Sequence, residues 1–167
     1  MPPRSYVVQP MTRDDLPAVG KLAGALVRFH HAIDPARFLL VDSVETGYAR
    51  YFGSELGDED AVLLSAIDEE SRAVAGYAYG RLEPRDWNML LDAHGALHDV
   101  LVAEEARGHG LGERLVREMC RRLDEKGAPR IILHTTDGNA TAQALFAKLG
   151  FRKTMLEMTR ERGAPSR

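Results

Sequence analysis

Two groups of residues near the middle of this chain have the types and spacing to do chemistry. One is Arg107-Gly108-His109-Gly110-Leu111-Gly112, and the other is the pair His98-Asp99 a few residues before it. Glycines at 108, 110 and 112 remove the Cβ atoms that would hold a diphosphate away from backbone amides. A helix starting at that point adds N–H groups without internal partners and the positive end of its dipole. Residues 107–112 are therefore expected to cradle a phosphate-bearing ligand. A tight strand-to-helix turn with no ligand is the alternative, but it needs only one glycine. An imidazole can serve as a general base, so His98 is a candidate, with Asp99 beside it as a second. Consecutive residues of a strand point to opposite faces, so one of the pair is expected to look into a cleft and the other away. The competing reading makes both of them strand residues with satisfied hydrogen bonds.

The elements that must position these groups follow from periodicity. Residues 97–102 (Leu-His-Asp-Val-Leu-Val) read as a buried strand and 103–106 as a turn. Beyond the glycines, Leu111, Leu115, Val116, Met119, Cys120 and Leu123 keep to one helical stripe, opposite Arg114, Arg117, Glu118, Arg121, Arg122 and Asp124. Gly127 and Pro129 stop that helix. Residues 130–135 form a second buried strand, parallel to the first if both join one sheet. Residues 139–151 form a helix with a glycine end, and 152–159 are expected to be a final strand. Upstream, a strand at 6–9 ends at Pro10, and Thr12-Arg13-Asp14-Asp15 has the form of a capping box. Leu16, Val19, Leu22, Ala23, Leu26 and Phe29 mark a helix to about residue 31. Residues 42–45 are expected to cap a second helix carrying Val44, Tyr48, Tyr51, Phe52 and Leu56. Residues 61–67 and 73–82 read as an antiparallel hairpin, with Tyr77, Tyr79 and Arg81 in one row as candidate lining. The insert at 83–92, with the single tryptophan Trp87, reads as a lid over the core or as a contact for a ligand or second subunit.

Known phosphate loops do not match. A Walker A loop ends in Gly-Lys-Ser/Thr, where this chain has Gly112-Glu113-Arg114, and a dinucleotide fingerprint needs a glycine at Glu113. The chain has 167 residues, a size for one domain with a self-sufficient core. Its net charge of −3 argues against a nucleic-acid surface. No apolar run reaches the length of a membrane span, and Met-Pro-Pro-Arg-Ser lacks an apolar signal core. Cys120 is alone and sits on the apolar stripe, which reads as core filling. These features point to the cytoplasm. His30-His31 and Asp34 do not have metal-ligand spacing, so no metal is expected.

Arg-x-x-Gly-x-Gly at the start of an amphipathic helix, preceded by His-Asp-Val-Leu-Val, resembles the GNAT superfamily of acyl-CoA-dependent N-acyltransferases. The stretch from Asn139 to Phe151 strengthens the resemblance, because members there often read Asn-x-x-Ala-x-x-Leu-Tyr-x-Lys-Leu-Gly-Phe. The resemblance implies an α/β (α+β) single domain over residues 1–160 with a polar, disordered tail at 161–167. It implies a mixed, mostly antiparallel sheet flanked by helices, with a central parallel strand pair splayed into a V-shaped cleft. Acetyl-CoA would be the acyl donor. Its pyrophosphate would lie on Arg107, Gly108, His109, Gly110, Leu111, Gly112 and Glu113, and its arm beside Val100, Leu101 and Val102. Asn139 matches the asparagine that contacts that arm. Phe146 stands where the family often has a thiolate-protonating tyrosine, keeping the packing without the proton. The implied activity is an N-acetyltransferase in which a primary amine, small or peptidyl, attacks directly in a ternary complex, with His98 or Asp99 as base. An acyl-CoA-binding regulatory domain of weak activity is the other reading. A homodimer would be in keeping with the family, and neither nucleic acid nor membrane is an expected partner.

Overall fold

A single five-stranded sheet in the order β1-β2-β3-β4-β5 carries the rest of the chain. The computed structural model describes residues 5–165. Its strands are β1 (Tyr6–Pro10), β2 (Ala61–Asp68), β3 (Val74–Glu83), β4 (His94–Val102) and β5 (Ile131–Leu133). The first four pair antiparallel in sequence order, and β5 joins β4 in parallel. Helices α1 (Leu16–Ile33) and α2 (Val44–Glu55) cover one face, and α3 (Leu111–Glu125) and α4 (Ala140–Lys148) the other. Met1 to Arg4, and the last two residues of the expected tail, lie outside the described residues.

Two apolar layers follow from strand alternation. Val62, Leu64, Ala66, Ala78 and Leu97 meet the α3 stripe of Leu111, Leu115, Val116, Met119 and Leu123, and this is the main core. Leu63, Tyr77 and Tyr79 on the other face meet Met11, Val19, Ala23 and Phe52. Helices α1 and α2 approach closely because Gly20 has no side chain, since a Cβ there would lie 2.5 Å from the carbonyl oxygen of Glu45.

The feature that matters most for function is an extra residue in β4. Tyr79 pairs with Asp99 and Gly80 with Leu97, so His98 has no partner on β3. The pairing of β4 with β5 ends at the adjacent residue, Leu97 opposite Leu133. From His98 to Val102, then, β4 has a neighbour on one side only, and the two parallel strands part there. This is the V-shaped opening implied by the resemblance.

Some local expectations need correction. Helix α1 runs on to Ile33, beyond residue 31, and α2 continues through Gly53 to Glu55. Ser43 precedes α2 in a left-handed conformation (φ 58°) and its side chain caps nothing. The second parallel strand covers three residues and not six. Residues 152–159 form no strand. β5 is too short to template eight residues, and Met155, Leu156 and Met158 stay exposed. Trp87 is 73% exposed and Leu90 88%, so the 83–92 insert does not close over the core. It is a turn built on Asp86, which accepts the N–H groups of Asn88 and Met89.

The close approach at Gly20 has a measurable consequence. Glycine in a helix costs about 0.5–1 kcal/mol relative to alanine, and overpacking costs about 1–3 kcal/mol. A Cβ added at Gly47 would meet nothing within 4 Å. Urea unfolding should therefore show Gly20→Ala losing about 1–2 kcal/mol and Gly47→Ala gaining about 0.5–1 kcal/mol. Equal effects at the two positions would mean that the α1–α2 contact is not tight.

Candidate active site

The glycine loop has the shape of a cradle. After Val102 the chain makes a one-turn 3₁₀ helix at Glu104–Ala106, then passes through Gly108 (φ +81°) and Gly110 (φ +70°) into α3. Left-handed φ is strained for any residue with a Cβ. At both positions a built Cβ would also meet nothing within 4 Å, so the surface above the loop is open. The first-turn N–H groups of α3 face no helical acceptor. Gly112 serves differently. A Cβ there would touch Leu145 and Val102 at ordinary contact distance, so this glycine concerns packing and not the open face.

The other loop residues are held by neighbours. Arg107 folds back so that its Nε donates to the carbonyl of Val102 at 3.3 Å. The Nδ1 of His109 lies 2.9 Å from the Arg107 carbonyl, and its ring sits edge-on to Tyr6. Leu111 is buried in the main core. Glu113 accepts from Lys148 at 2.6 Å and from Arg117, which hold its carboxyl below the usual range, Lys148 first. That pair ties the first turn of α3 to the end of α4. Asn139 is the N-cap of α4, its Oδ1 accepting from the N–H of Ala142 at 3.2 Å. Gln143 donates to the carbonyls of Thr136 and Asp137 and fixes the loop before it. Phe146 belongs to the main core, edge-on to Phe151.

Along β4, Val100 and Val102 pack towards α3 and Leu101 towards α1 and α2. The backbone of these residues forms the open edge of the cleft. His98 and Asp99 do not face opposite ways as simple alternation predicts. Because His98 is the extra residue, both side chains reach the tyrosine row of β3. The His98 ring stacks on Tyr79 with centroids 5.4 Å apart, and Asp99 accepts from the Tyr77 hydroxyl at 3.3 Å. Burial pushes the Asp99 carboxyl up, against the opposing pull of the Tyr77 hydrogen bond and of His98. Burial, and then the Asp99 charge, raise Tyr77 and the Tyr48 phenol of α2 as well, so both keep their protons at neutral pH.

A polar network flanks this pair, and most of its members were not visible in the sequence. Tyr79 donates to the buried Glu55 at 2.7 Å and accepts from Tyr51 at 2.8 Å. Arg81 donates to the same Glu55 oxygen at 2.9 Å. Glu83 lies 2.9 Å from Nε2 of His98. The alternating row Tyr77-Tyr79-Arg81 was the only signal for this network. By sequence Glu83 belongs to the 83–92 insert. His31 and Asp34 are engaged locally, His31 with the Phe38 carbonyl and Asp34 with the N–H groups of Ala36 and Arg37. Burial raises the Cys120 thiol, so little of it is thiolate.

Comparison with known proteins agrees with this geometry. The model of the acetyltransferase (GNAT) family matches residues 27–151. The mycothiol acetyltransferase of Pseudarthrobacter chlorophenolicus is 33% identical over 93 residues, covering 56% of this chain and 28% of that protein. The chain spans only about a quarter of the length of the first curated relatives it matches. The tetramutant of the BH1408 protein from Bacillus halodurans superposes with a TM-score of 0.79 at 19% identity, covering 93% of this chain and 99% of that one. The aminoglycoside N-acetyltransferase AAC(6')-Iy in complex with CoA superposes with a TM-score of 0.72 at 15% identity, covering 98% and 99%.

The position of Asp99 predicts a pH dependence. Its folded pKa lies above the unfolded value, so the folded state holds the proton more tightly and stability falls as pH rises through that window. Asp99→Asn keeps an acceptor for Tyr77 and removes the charge. Its melting temperature should exceed the wild type's at about pH 7 and match it near pH 3.5, where the acid is largely neutral. A gap of the same size at both values would refute burial as the cause.

Proposed function

The chain belongs to the GNAT acetyltransferase family, and from that premise we propose that it is an N-acetyltransferase carrying an acetyl group from acetyl-CoA to a primary amine. The observation that carries this reading is the open edge of β4 at residues 98–102. One end leads to the glycine cradle and the other to His98 and Asp99.

Acetyl-CoA supplies an acyl carbon activated as a thioester. The residues that would hold it fit that task. The open surface over Gly108 and Gly110 and the free amides of α3 suit a diphosphate, with Arg107 and His109 at the rim. The edge of Val100, Leu101 and Val102 that faces away from β3 suits the amides of an extended arm, in the manner of an added strand. An N–H near Leu101–Val102 would stabilise charge on the thioester oxygen. Asn139 keeps its Nδ2 for the arm, because its Oδ1 is committed to the helix cap.

An amine attacks only as the free base, so a proton must leave the ammonium first. His98 is the exposed member of the pair and takes that proton. Asp99 lies deeper, against the Tyr77 hydroxyl, and orients the amine by hydrogen bonding. Position 146 offers no proton for the departing thiolate, and a thiol of ordinary acidity can leave without one. The acceptor in this reading is a primary amine, small or peptidyl.

Two measurements test the proposal. Acetyl-CoA should raise the melting temperature of the wild type, while Gly110→Glu, folded by circular dichroism, should lose the rise because a carboxylate enters the cradle. Thiol release across a panel of amines should then show His98→Ala lowering kcat by about 10²-fold at neutral pH, with partial recovery where the amine deprotonates in solution. A melting shift with no thiol release for any amine would instead support an acyl-CoA-binding regulatory domain.

A further inference from the structure

His98 is held by a residue from another strand. Its Nε2 lies 2.9 Å from Oε1 of Glu83, at the end of β3, and the two side chains are 41% and 30% exposed. Glu83 is itself placed by its surroundings. The Nε of Arg81 is 3.9 Å from the same Glu83 oxygen, while Nη1 of Arg81 is anchored on Glu55. Glu55 also accepts from Tyr79, and Tyr79 is the ring on which His98 stacks. The contacts close a circle: His98, Glu83, Arg81, Glu55, Tyr79 and back to His98. The circle exists only because His98 is the extra residue of β4, which turns its ring along the strand towards Glu83.

We propose that Glu83 is a positioning residue that fixes the tautomer and direction of His98, presenting Nδ1 as the atom that takes the acceptor's proton. This rests on the reading of His98 as base. A carboxylate can only accept, so the nitrogen facing Glu83 carries the hydrogen and the other nitrogen holds the lone pair. The orienting partner of an imidazole base does not touch substrate. It acts by keeping the wrong tautomer and the wrong ring orientation out of the population. The charged groups facing His98 are Glu83 from β3 and Asp99 from β4, with Arg81 behind Glu83. Among them Glu83 alone is in hydrogen-bond contact with the ring.

The experiment has a spectroscopic arm and a kinetic arm, both on the full chain. Long-range ¹⁵N–¹H correlation spectra of histidine-labelled protein, with the His98 signals assigned by comparison with His98→Asn, should show the Nε2–H tautomer in the wild type. The same spectra of Glu83→Ala should show a mixture. In the kinetic arm, Glu83→Ala should lower kcat about tenfold with an unchanged KM for acetyl-CoA. Glu83→Gln, which still offers an acceptor oxygen, should restore most of kcat. An Nδ1–H tautomer in the wild type overturns the proposal while leaving His98 as base. So does an unchanged kcat in Glu83→Ala when His98→Ala is impaired. Equal losses in both Glu83 variants together with a lowered melting temperature show a structural role, and also overturn it. If His98→Ala keeps full kcat although its Nε2–H is paired with Glu83, the base reading itself fails.

Discussion

The proposed site depends on one unmatched residue in a hydrogen-bonded ladder. With His98 inserted opposite β3, the peptide groups after it keep their bonds to β3 but lose register with β5. A bulge bends its strand and increases the local twist. Here that bend coincides with the last parallel pair, so strand separation and side-chain redirection have a single cause. A regular ladder would have closed the edge and sent His98 to the opposite face from Asp99.

The two layers around the sheet hold that irregularity in place. On one side α3 packs a continuous apolar stripe beneath the diverging strands. On the other, aromatic rings of α2 and β3 contact one another through Phe52, Tyr51, Tyr77 and Tyr79. Within this aromatic layer the hydroxyls of Tyr79 and Tyr77 point to Glu55 and Asp99. Burying carboxylates beside tyrosines is tolerable because each phenol donates a hydrogen bond, where an apolar ring would leave the charge without a partner. The His98–Asp99 end of the proposed site is thus assembled from the polar margin of a packed core.

Much of this could be read from residue order. The α3 stripe, the glycine cradle and the β2–β3 hairpin are each set by local periodicity and backbone preference, and these act over a few residues. What could not be read depends on register between distant strands. Nothing in His98-Asp99 announces a bulge, so alternation placed the two residues on opposite faces. Glu83 looked like the first residue of an insert because its partner lies fifteen residues away on the next strand. The segment 152–159 has strand-like composition, but a strand needs an edge to join, and β5 is too short to provide one. Gly112 was grouped with Gly108 and Gly110 by spacing, although its φ is ordinary and its neighbours are apolar.

The bulge and the cradle stand at opposite ends of the open edge. His98 and Val102 are four strand steps apart, so the edge between them measures roughly 13 Å at about 3.3 Å per residue. The salt link from Glu113 to Lys148 joins the helix of the cradle to the helix that Asn139 caps. If the cradle holds the donor's phosphate, as proposed, the cleft acts as a ruler. An activated acyl group tied directly to its phosphate, as in a mixed anhydride, would be held at the cradle with its carbonyl far from the imidazole. In the proposed reading, a donor that carries its reactive carbon on a long, thin, extended spacer is gripped at one end and reaches His98 at the other. Selection by length costs no side chain, because it is built into the distance between two irregularities of the backbone.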